Sequence, residues 1–217
     1  MSKIYYLCQF HVFYIRGGVF SVCFIISRTP DINFPYVYNK MSLEVNVKKN
    51  FEAESVVSDC LNTAPNGLIS VVYPNNKQVL FNVLTPTDVR PHPEVSWDAD
   101  PNCLYTLCMI DPDAPSRANP TFREILHWLV VNLKGSDLKT GQVLTPYRGS
   151  GPRKNTGLHR YIFLVFQQKG SITVTEQQLE TERKSFNIRN FAQKYELGDP
   201  IAGNFYQAEW DPTVPER

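Results

Sequence analysis

Two histidines lie in or beside the most apolar segments of this chain, and they are the first candidates for chemistry. His127 lies within ILHWLVV, and His159 precedes RYIFLVF. A single histidine in an apolar strand is usually a hydrogen-bonded core residue, but two imidazoles that meet can donate N–H groups to one anion. Asp111 follows the apolar segment 104–110, and residues at strand ends commonly line pockets. We therefore predict that Asp111, His127 and His159 surround a small anionic group.

The same residues permit other interpretations. DPDAP at 111–115 is also typical of a turn whose aspartates accept hydrogen bonds from nearby backbone N–H groups. Asp111, His127 and His159 could form a metal site of two histidines and one carboxylate, or act as acid and base in a hydrolase. However, the sequence contains no GxSxG or HExxH motif. We therefore expect a binding module rather than an enzyme, with no metal and no cofactor.

A glycine-rich loop, GSGPRKNTG at residues 149–157, precedes His159. Its glycines would let the backbone approach a ligand closely, and exposed N–H groups could receive phosphate oxygens. The loop does not have the motif of a nucleotide-binding P-loop. On its own it is a weak indication of phosphate binding.

Short apolar segments bounded by turn residues predict the elements that must position these side chains. Few helices, and no regular alternation of strand and helix, favour a β-sandwich-like body with peripheral helices. Continuously apolar segments are typical of strands that are buried on both faces. The predicted strands are Leu68–Tyr73 and Val79–Leu84 as a hairpin, Val95–Trp97, Leu104–Ile110, Ile125–Asn132, Tyr161–Gln167 and Gly203–Glu209, and the predicted helix is Asn187–Tyr195.

The charge distribution excludes one large class of partner. The formal net charge is +1, but residues 1–40 carry four basic residues and one acidic residue, so the remainder has a net charge of −2. A slightly acidic body does not have the basic face that nucleic acid binding requires. The five cysteines do not have the spacing of a metal finger. They favour free thiols in a reducing compartment, and we expect a cytoplasmic protein.

Residues 1–40 differ in character from the body. Their apolar runs, Ile4–Ile15 and Val19–Ile26, are split by Arg16-Gly17-Gly18, and each is shorter than the ~20 residues that a membrane-crossing helix needs. We expect residues 1–40 to be a leader outside the fold and residues 41–217 to form the domain. A secretory signal, which would make the protein secreted, and an anchor at the membrane surface are the alternatives.

Several ordered motifs run through the body of the chain. They are DPDAPSR at 111–117, RE at 123–124, HWLVVN at 127–132, GPRKNTGLHRYIFLVFQQ at 151–168 and FAQKYELGDPIAGNFYQAEW at 191–210. Together they resemble the phosphatidylethanolamine-binding protein family, also called Raf kinase inhibitor protein-like. The resemblance covers residues 45–212, and its long motifs make a chance agreement improbable. It implies a mainly β fold of two packed sheets with a Greek-key core and a few peripheral helices. It also implies a small cavity for phosphate, acetate or a phospholipid headgroup.

The resemblance also implies which residues line the cavity. His127 and His159 would donate N–H groups to the anion, and Asp111 would orient or charge an imidazole. Tyr161 and Tyr206 would donate hydroxyl groups. Cis peptide bonds are expected before Pro115 and between Arg123 and Glu124. The full implied set is Asp111, Ala114, Pro115, His127, Pro152, His159, Tyr161 and Tyr206.

This sequence departs from the family pattern at the rim of the cavity. Ile125 and Leu126 replace an aromatic and a histidine, Phe122 replaces a tyrosine, and Arg153 replaces a proline. We expect these differences to change ligand preference, with Arg153 adding a cation near the mouth. As partners we expect a small anionic ligand or phospholipid headgroup, with a protein kinase or a serine protease as a protein partner. We expect a monomer whose membrane contact is at most peripheral.

Overall fold

The computed structural model describes residues 11–15, 18–22, 47–176, 179 and 181–215. The chain divides into two units, Met1–Tyr38 and Asn39–Arg217. In the first unit, strands β1 (His11–Ile15) and β2 (Gly18–Val22) pair in antiparallel fashion. Most of the expected leader lies outside the described residues, so its status stays a prediction. Within the described residues, no helix combines the length and apolar character needed to cross a bilayer.

The described part of the second unit begins with two short helical stretches. Helix α1 covers residues 47–53, helix α2 spans Val56–Asp59, and helix α3, Ile188–Lys194, follows much later in the chain. The side chain of Asn187 caps α3 by accepting a hydrogen bond from the N–H of Asn190. The strands are β3 (Gly67–Leu68), β4 (Ser70–Tyr73), β5 (Lys77–Gln78), β6 (Glu94–Ser96), β7 (Leu104–Asp111), β8 (Ile125–Lys134), β9 (Gln142–Thr145), β10 (His159–Gln168) and β11 (Ala202–Ala208).

These strands form two sheets. The larger sheet has the order β3-β11-β10-β7-β8-β9 and is antiparallel except between β3 and β11. Within it, β10 returns after a long connection to lie beside β7 rather than beside β9, which is the Greek-key order. The smaller sheet has the order β5-β4-β6. The predicted mainly β fold of two sheets with a few helices is confirmed.

Side chains that alternate along the central strands divide the interior into two cores. On β10, Tyr161 and Phe163 enter an inter-sheet core, whereas Ile162 and Leu164 enter a helix-side core. Successive side chains of a strand point to opposite faces, so a strand covered on both faces is apolar throughout. The inter-sheet core also contains Val71, Tyr73, Val95, Leu107 and Trp128, and the helix-side core contains Phe51, Val56, Ile188, Phe191 and Phe205.

The predicted strand at Val79–Leu84 is wrong. The hairpin partner of β4 is the short strand β5, and the chain then leaves the sheet at Phe81, whose φ of +54° lies outside the strand region. The N–H of Phe81 donates to the carbonyl of Phe205 at 3.0 Å, and the two rings pack together. Leu80 and Val83 are 50% and 60% exposed. This apolar segment buries Val79 and Leu84 in the inter-sheet core and packs the Phe81 ring against the helix-side core, but it does not extend the small sheet.

The remaining predicted strands and the predicted helix are present with shifted ends. The segment predicted as Leu68–Tyr73 is divided between the two sheets, because β3 pairs with β11 whereas β4 pairs with β5 and β6. The chain crosses from one sheet to the other at Ile69, which is fully buried in the inter-sheet core. One continuous apolar segment therefore contributes a strand to each of the two sheets.

Gly203 lies where β11 passes close to α1, and a larger residue there should destabilise the fold. An added Cβ would come within 2.6 Å of the Phe51 ring and 2.7 Å of the Pro65 side chain. We expect Gly203→Ala to lower the free energy of unfolding by about 1–3 kcal/mol, because these side chains must move apart. Urea denaturation measures the change. Gly170→Ala is the matched control, since nothing lies within 4 Å of its added Cβ; equal losses in both variants would contradict this account.

Candidate functional site

The candidate site forms where β7 ends and β10 begins. Asp111 is the last residue of β7 and His159 is the first residue of β10, and these strands are antiparallel neighbours. Asp111 continues the alternation of Leu107 and Met109, which face the inter-sheet core, and His159 continues that of Tyr161. Both side chains therefore enter the same face of the sheet. Nδ1 of His159 lies 2.9 Å from Oδ2 of Asp111.

His127 reaches the same place because β8 is irregular. Met109 of β7 lies opposite Trp128, but the next residue, Ile110, lies opposite Leu126. His127 is therefore the extra residue of a β-bulge. Bulges redirect a side chain and are common beside binding sites. The bulge thus explains how a histidine within an apolar strand comes to face a cavity.

These residues line a cleft of about 630 Å³, hereafter the cleft. The expected cis peptide bonds are present before Pro115 and between Arg123 and Glu124. Tyr206 is the one predicted site residue that does not line the cleft. The role of the others in binding a ligand stays a prediction. The predicted residues that the structure does bring together on its walls are Asp111, Ala114, Pro115, His127, Pro152, His159 and Tyr161.

His159 lies in a hydrogen-bond chain that fixes both of its ring nitrogens. Nδ1 faces the carboxylate of Asp111, whose other oxygen accepts from the N–H of Asp113 at 2.7 Å. Nε2 lies 2.9 Å from Oγ1 of Thr156. Oγ1 of Thr156 also donates to the carbonyl of Arg153 at 2.7 Å. Contacts at both ring nitrogens therefore hold His159 in place at the base of the cleft.

The hydrogen bond of His127 fixes a different role for that ring. Nδ1 lies 2.8 Å from the carbonyl oxygen of Arg148, and a carbonyl only accepts, so Nδ1 carries the hydrogen. Burial lowers the pKa of His127, and the charge of Asp111 partly opposes this effect. The neutral ring presents Nε2 as an acceptor, and Nε2 has no hydrogen-bond partner in the described part of the chain. The predicted donation from His127 to an anion would need a second proton on this ring.

Tyr161 forms the floor of the cleft, and Tyr206 lies behind it. The ring of Tyr161 stacks between His159 and Tyr206, with centroid distances of 6.5 Å and 5.0 Å, and meets His127 edge-on at 5.2 Å. Burial raises the pKa of both tyrosines well above the ordinary range, so both hydroxyl groups stay protonated. Tyr206 is fully buried, and its hydroxyl has no hydrogen-bond partner among the described residues. Its expected contact with a ligand stays a prediction.

The mouth of the cleft carries an excess of positive charge. Arg148 and Arg153 are exposed, and within the described ranges their guanidinium groups make no hydrogen bond or ion pair. Lys184 is also exposed, with its ammonium group 4.6 Å from the centre of the Phe122 ring. Glu182 is the one acidic side chain at the mouth among the lining residues that the structure describes. The resulting field attracts anions.

Sequence reasoning missed Thr156, Arg148 and Arg183. Nη1 of Arg183 donates to the carbonyl of His127 and Nη2 to the carbonyl of Pro146, both at 3.0 Å, so this side chain supports the bulge. Arg148 and Arg183 lie 21 and 56 residues from His127 along the chain, and no local pattern connects them. Thr156 could have been found, because it lies in the glycine-rich loop just before His159.

Behind the cleft, a network of ion pairs surrounds Arg160, which is fully buried. Its Nε lies 2.9 Å from Oδ2 of Asp113, and its Nη2 lies 2.6 Å from carboxylate oxygens of both Asp113 and Asp59. Its Nη1 donates to the carbonyl of Glu54 at 2.6 Å. Arg123 adds an ion pair with Asp59 at 3.1 Å. The network fastens the α1–α2 region to the turn that carries Ala114 and Pro115.

Glu124 is a buried carboxyl group beside the rim of the cleft. Its Oε2 accepts from the N–H of Ile188, the first residue of α3, at 2.9 Å. Its backbone N–H and carbonyl pair with those of Phe186 at 2.8 Å and 3.0 Å, which attaches the segment bearing Arg183 and Lys184. Burial raises the pKa of Glu124 to about 7, and the hydrogen bond from Ile188 partly opposes this shift.

The described residues contain no group of three histidine, cysteine or acidic side chains that could hold a metal ion. A second groove, of about 750 Å³, lies at the other end of β10, beside α3. It is lined by Lys169 and Arg189 and by Glu196 and Asp199, so its charges are mixed, and it contains none of the predicted site residues. The smaller cleft is therefore the better candidate for the functional site.

Comparisons with known proteins show what this chain is similar to. The family model described as Phosphatidylethanolamine-binding protein matches residues 75–207. The chain is 39% identical over 176 residues to "Putative odorant-binding protein A5" of Drosophila melanogaster. The matched region covers 79% of this chain and 84% of that protein.

Two solved structures show the same architecture. The solution structure of CG7054 is 48% identical, with a TM-score of 0.60 over 74% of this chain and 94% of that one. The carboxypeptidase Y inhibitor, complexed with its cognate proteinase, has a TM-score of 0.68 over 77% of this chain and 96% of that one. Its identity is 22%, so this second likeness concerns the fold alone.

The buried charge network predicts a large effect of Arg160. We expect Arg160→Met to lower the free energy of unfolding by about 3–5 kcal/mol, because the buried carboxylate of Asp113 would lose the cation at 2.6 Å and keep that of Arg123 at 3.7 Å. Urea denaturation measures the loss. Arg117→Met is the control, since Arg117 pairs with Glu54 at 2.9 Å where both side chains are about one-third exposed, and we expect about 1 kcal/mol or less. Comparable losses would show that burial does not set the importance of Arg160.

The pKa of Glu124 predicts how stability depends on pH. Folding raises this pKa from 4.5 to about 7, so between these values the folded chain holds more protons than the unfolded chain. The contribution of Glu124 to stability is therefore complete at low pH and declines as the pH rises through this window. Glu124→Gln keeps an oxygen to accept from Ile188 and removes the titration, so the pH profile of urea midpoints should flatten there. Glu196→Gln, at an exposed ion pair with Lys169, should leave the profile unchanged; an unchanged profile in Glu124→Gln would refute the prediction.

Proposed function

This chain belongs to the phosphatidylethanolamine-binding protein family, and we propose that its cleft binds a small anionic group, either a free phosphate or the headgroup of a phospholipid. The observation that carries the proposal is the charge of the cleft. Three cationic side chains, Arg148, Arg153 and Lys184, lie at its mouth. The carboxylate at the base, Asp111, is hydrogen-bonded to Nδ1 of His159 at 2.9 Å. An anion that enters the cleft gains Coulombic attraction in a partly water-excluded site.

Binding without catalysis is the second part of the proposal. A hydrolytic mechanism of the serine or cysteine type needs a nucleophile in contact with a base. The lining residues that the structure describes include no serine or cysteine. Both ring nitrogens of His159 and one of His127 are already committed to hydrogen bonds within the protein. These groups are arranged to hold a ligand.

We also propose that the protein resides in the cytoplasm as a monomer. Cys60, Cys103 and Cys108 are free thiols, which suits a reducing compartment. Contact with a membrane would be peripheral, through a headgroup in the cleft. Regulation of a protein kinase, which the family resemblance implies, stays a prediction, and a kinase pull-down with the full chain tests it.

Inhibition of a serine protease is the second candidate function. The observation that favours it is the shared fold of the carboxypeptidase Y inhibitor, which is seen in complex with its cognate proteinase. The inhibitor's surface of contact need not include the cleft, so the two functions are compatible. An inhibition assay of the full chain against carboxypeptidase Y tests this candidate, and full proteinase activity at saturating protein would remove it.

A variant at the base of the cleft tests anion binding. We expect His159→Ala to weaken the binding of inorganic phosphate and of phosphoethanolamine about tenfold, because a hydrogen-bonding ring at the base of the cleft is lost. Isothermal titration calorimetry measures both affinities. His92→Ala is the matched control, because Nδ1 of His92 bonds the carbonyl of Pro93 at 2.8 Å, away from the cleft. Undiminished binding by His159→Ala would contradict the proposal.

A further inference from the structure

Four consecutive residues of the glycine-rich loop form a segment of the kind that an arginine-directed protein kinase recognises. Arg153 and Lys154 precede Asn155 and the hydroxyl group of Thr156. Among all serines and threonines of the sequence, Thr156 is the one that has an arginine three residues before it. Arg153 replaces a proline of the family pattern, so the motif is a feature of this chain. Charge patterns of this kind determine which hydroxyl groups a kinase modifies.

The loop presents this segment to solvent. Arg153, Lys154 and Asn155 are exposed, and Thr156 is half-buried. Residues 146–158 contain no helix or strand, so the segment can extend without breaking a strand pair. One tight turn must open, because the N–H and Oγ1 of Thr156 both donate to the carbonyl of Arg153, at 3.3 Å and 2.7 Å. Gly157 follows this turn, and nothing lies within 4 Å of its added Cβ.

The hydroxyl group of Thr156 lies against the wall of the cleft. Its Oγ1 is 2.9 Å from Nε2 of His159, and the ring of His159 lines the cleft. Arg148 and Arg153 line the same cleft, and within the described ranges their guanidinium groups have no partner. A phosphoryl group on Oγ1 would add about two negative charges beside these side chains. Phosphate oxygens and guanidinium groups form short, charge-assisted hydrogen bonds.

We propose that Thr156 is a phosphorylation site and that its phosphate occupies the cleft as a covalently attached anion, which closes the cleft to free anions. The modification stands by itself, whereas its effect on free anions rests on the proposed anion binding. An attached group acts at an effective concentration on the order of millimolar, without any loss by diffusion. The modified chain therefore binds free anions weakly.

The transfer requires ATP and a protein kinase. Oγ1 of Thr156 attacks the γ-phosphorus of ATP, a new P–O bond forms, and the bond from that phosphorus to the β,γ-bridging oxygen breaks. ADP leaves, and the hydroxyl proton passes to a carboxylate of the kinase. The product lacks the hydrogen that Oγ1 donates to the carbonyl of Arg153. The turn at residues 153–156 loses this hydrogen bond, and the phosphate can turn towards the cations of the mouth.

Phosphorylation of the full chain tests the site. The probe is the catalytic subunit of cAMP-dependent protein kinase, which selects arginine three residues before the acceptor, with ATP and magnesium. We expect peptide mass spectrometry to place one phosphate on Thr156. Arg153→Gln should lower the initial rate of phosphorylation at least about tenfold, because one charge pair with the kinase is lost.

Thr140 is the matched control, because its hydroxyl group has the same local geometry. Oγ1 of Thr140 donates to the carbonyl of Asp137, three residues earlier, at 2.7 Å. Thr140 is also exposed, but an acidic residue takes the selective position. We expect Thr140→Val to be phosphorylated like the wild type and Thr156→Val to take up no phosphate. An unmodified Thr156 in the wild type, or equal incorporation by Thr156→Val, overturns the proposal.

Two measurements on the modified full chain test where the phosphate lies. Contact with arginine side chains favours the dianion, so the ³¹P resonance should titrate at a lower pH in the folded chain than in the same chain unfolded in urea. Calorimetry should show inorganic phosphate binding at least about tenfold more weakly than to the unmodified chain. Thr140→Val, treated in the same way, should behave like the wild type in both.

The outcomes separate this inference from the proposed function. A phosphate on Thr156 that titrates as in the unfolded chain, with undiminished binding of inorganic phosphate, overturns the closing of the cleft and leaves anion binding intact. If the unmodified chain binds no inorganic phosphate, the proposed anion binding fails. The ³¹P titration then decides alone whether the attached phosphate enters the cleft.

Discussion

Arg160 and His159 are adjacent on β10, and each is held by one carboxylate of the turn that follows β7. His159 pairs with Asp111 on the inter-sheet face, whereas Arg160 pairs with Asp113 on the helix side. The two attachments lie on opposite faces because successive residues of a strand point in opposite directions. A buried carboxylate without a partner is unfavourable, so separating either aspartate from its partner would lower the free energy of unfolding. The position of the turn, and with it the wall of the cleft, follows from this double attachment.

Two side chains of the same type acquire different chemistry from their partners. His159 lies between the carboxylate of Asp111 and the hydroxyl group of Thr156, so both of its ring nitrogens have partners. His127 donates from Nδ1 to the backbone carbonyl of Arg148, and burial lowers its pKa. The difference arises from hydrogen-bond partners, since both rings are buried and both contact Tyr161. The cleft consequently combines one histidine that is paired with a carboxylate and one that presents Nε2 as an acceptor.

The relatives of this chain place it in the phosphatidylethanolamine-binding protein family, but they do not identify its ligand. The likeness to the carboxypeptidase Y inhibitor concerns the fold, at 22% identity. The properties that would distinguish this member lie at the mouth of the cleft, where Arg153 adds a cation and Ile125 adds an apolar wall. The chemistry at the mouth therefore depends on side chains that the shared fold positions but does not specify.

Much of the architecture could be predicted from the sequence, because local patterns determine it. Continuous apolar segments identified the central strands, and the ordered motifs around Asp111 and His159 indicated the family and most of the cleft lining. The one predicted strand that is wrong has a physical cause in the folded chain. Val79–Leu84 has the composition of a strand, but the left-handed backbone at Phe81 and the packing of its ring on Phe205 decide its course.

Only the tertiary structure decided the chemistry of the site. The β-bulge that turns His127 into the cleft exists only when β7 and β8 pair, and its partner Arg148 lies 21 residues away. Tyr206 belongs to the motif that the sequence indicated, yet packing places it behind Tyr161. The sequence determined which residues could lie together in the site, because residue type and the periodicity of apolar residues are local properties. Which nitrogen carries a hydrogen depends on distant backbone groups that only the folded chain brings within bonding distance.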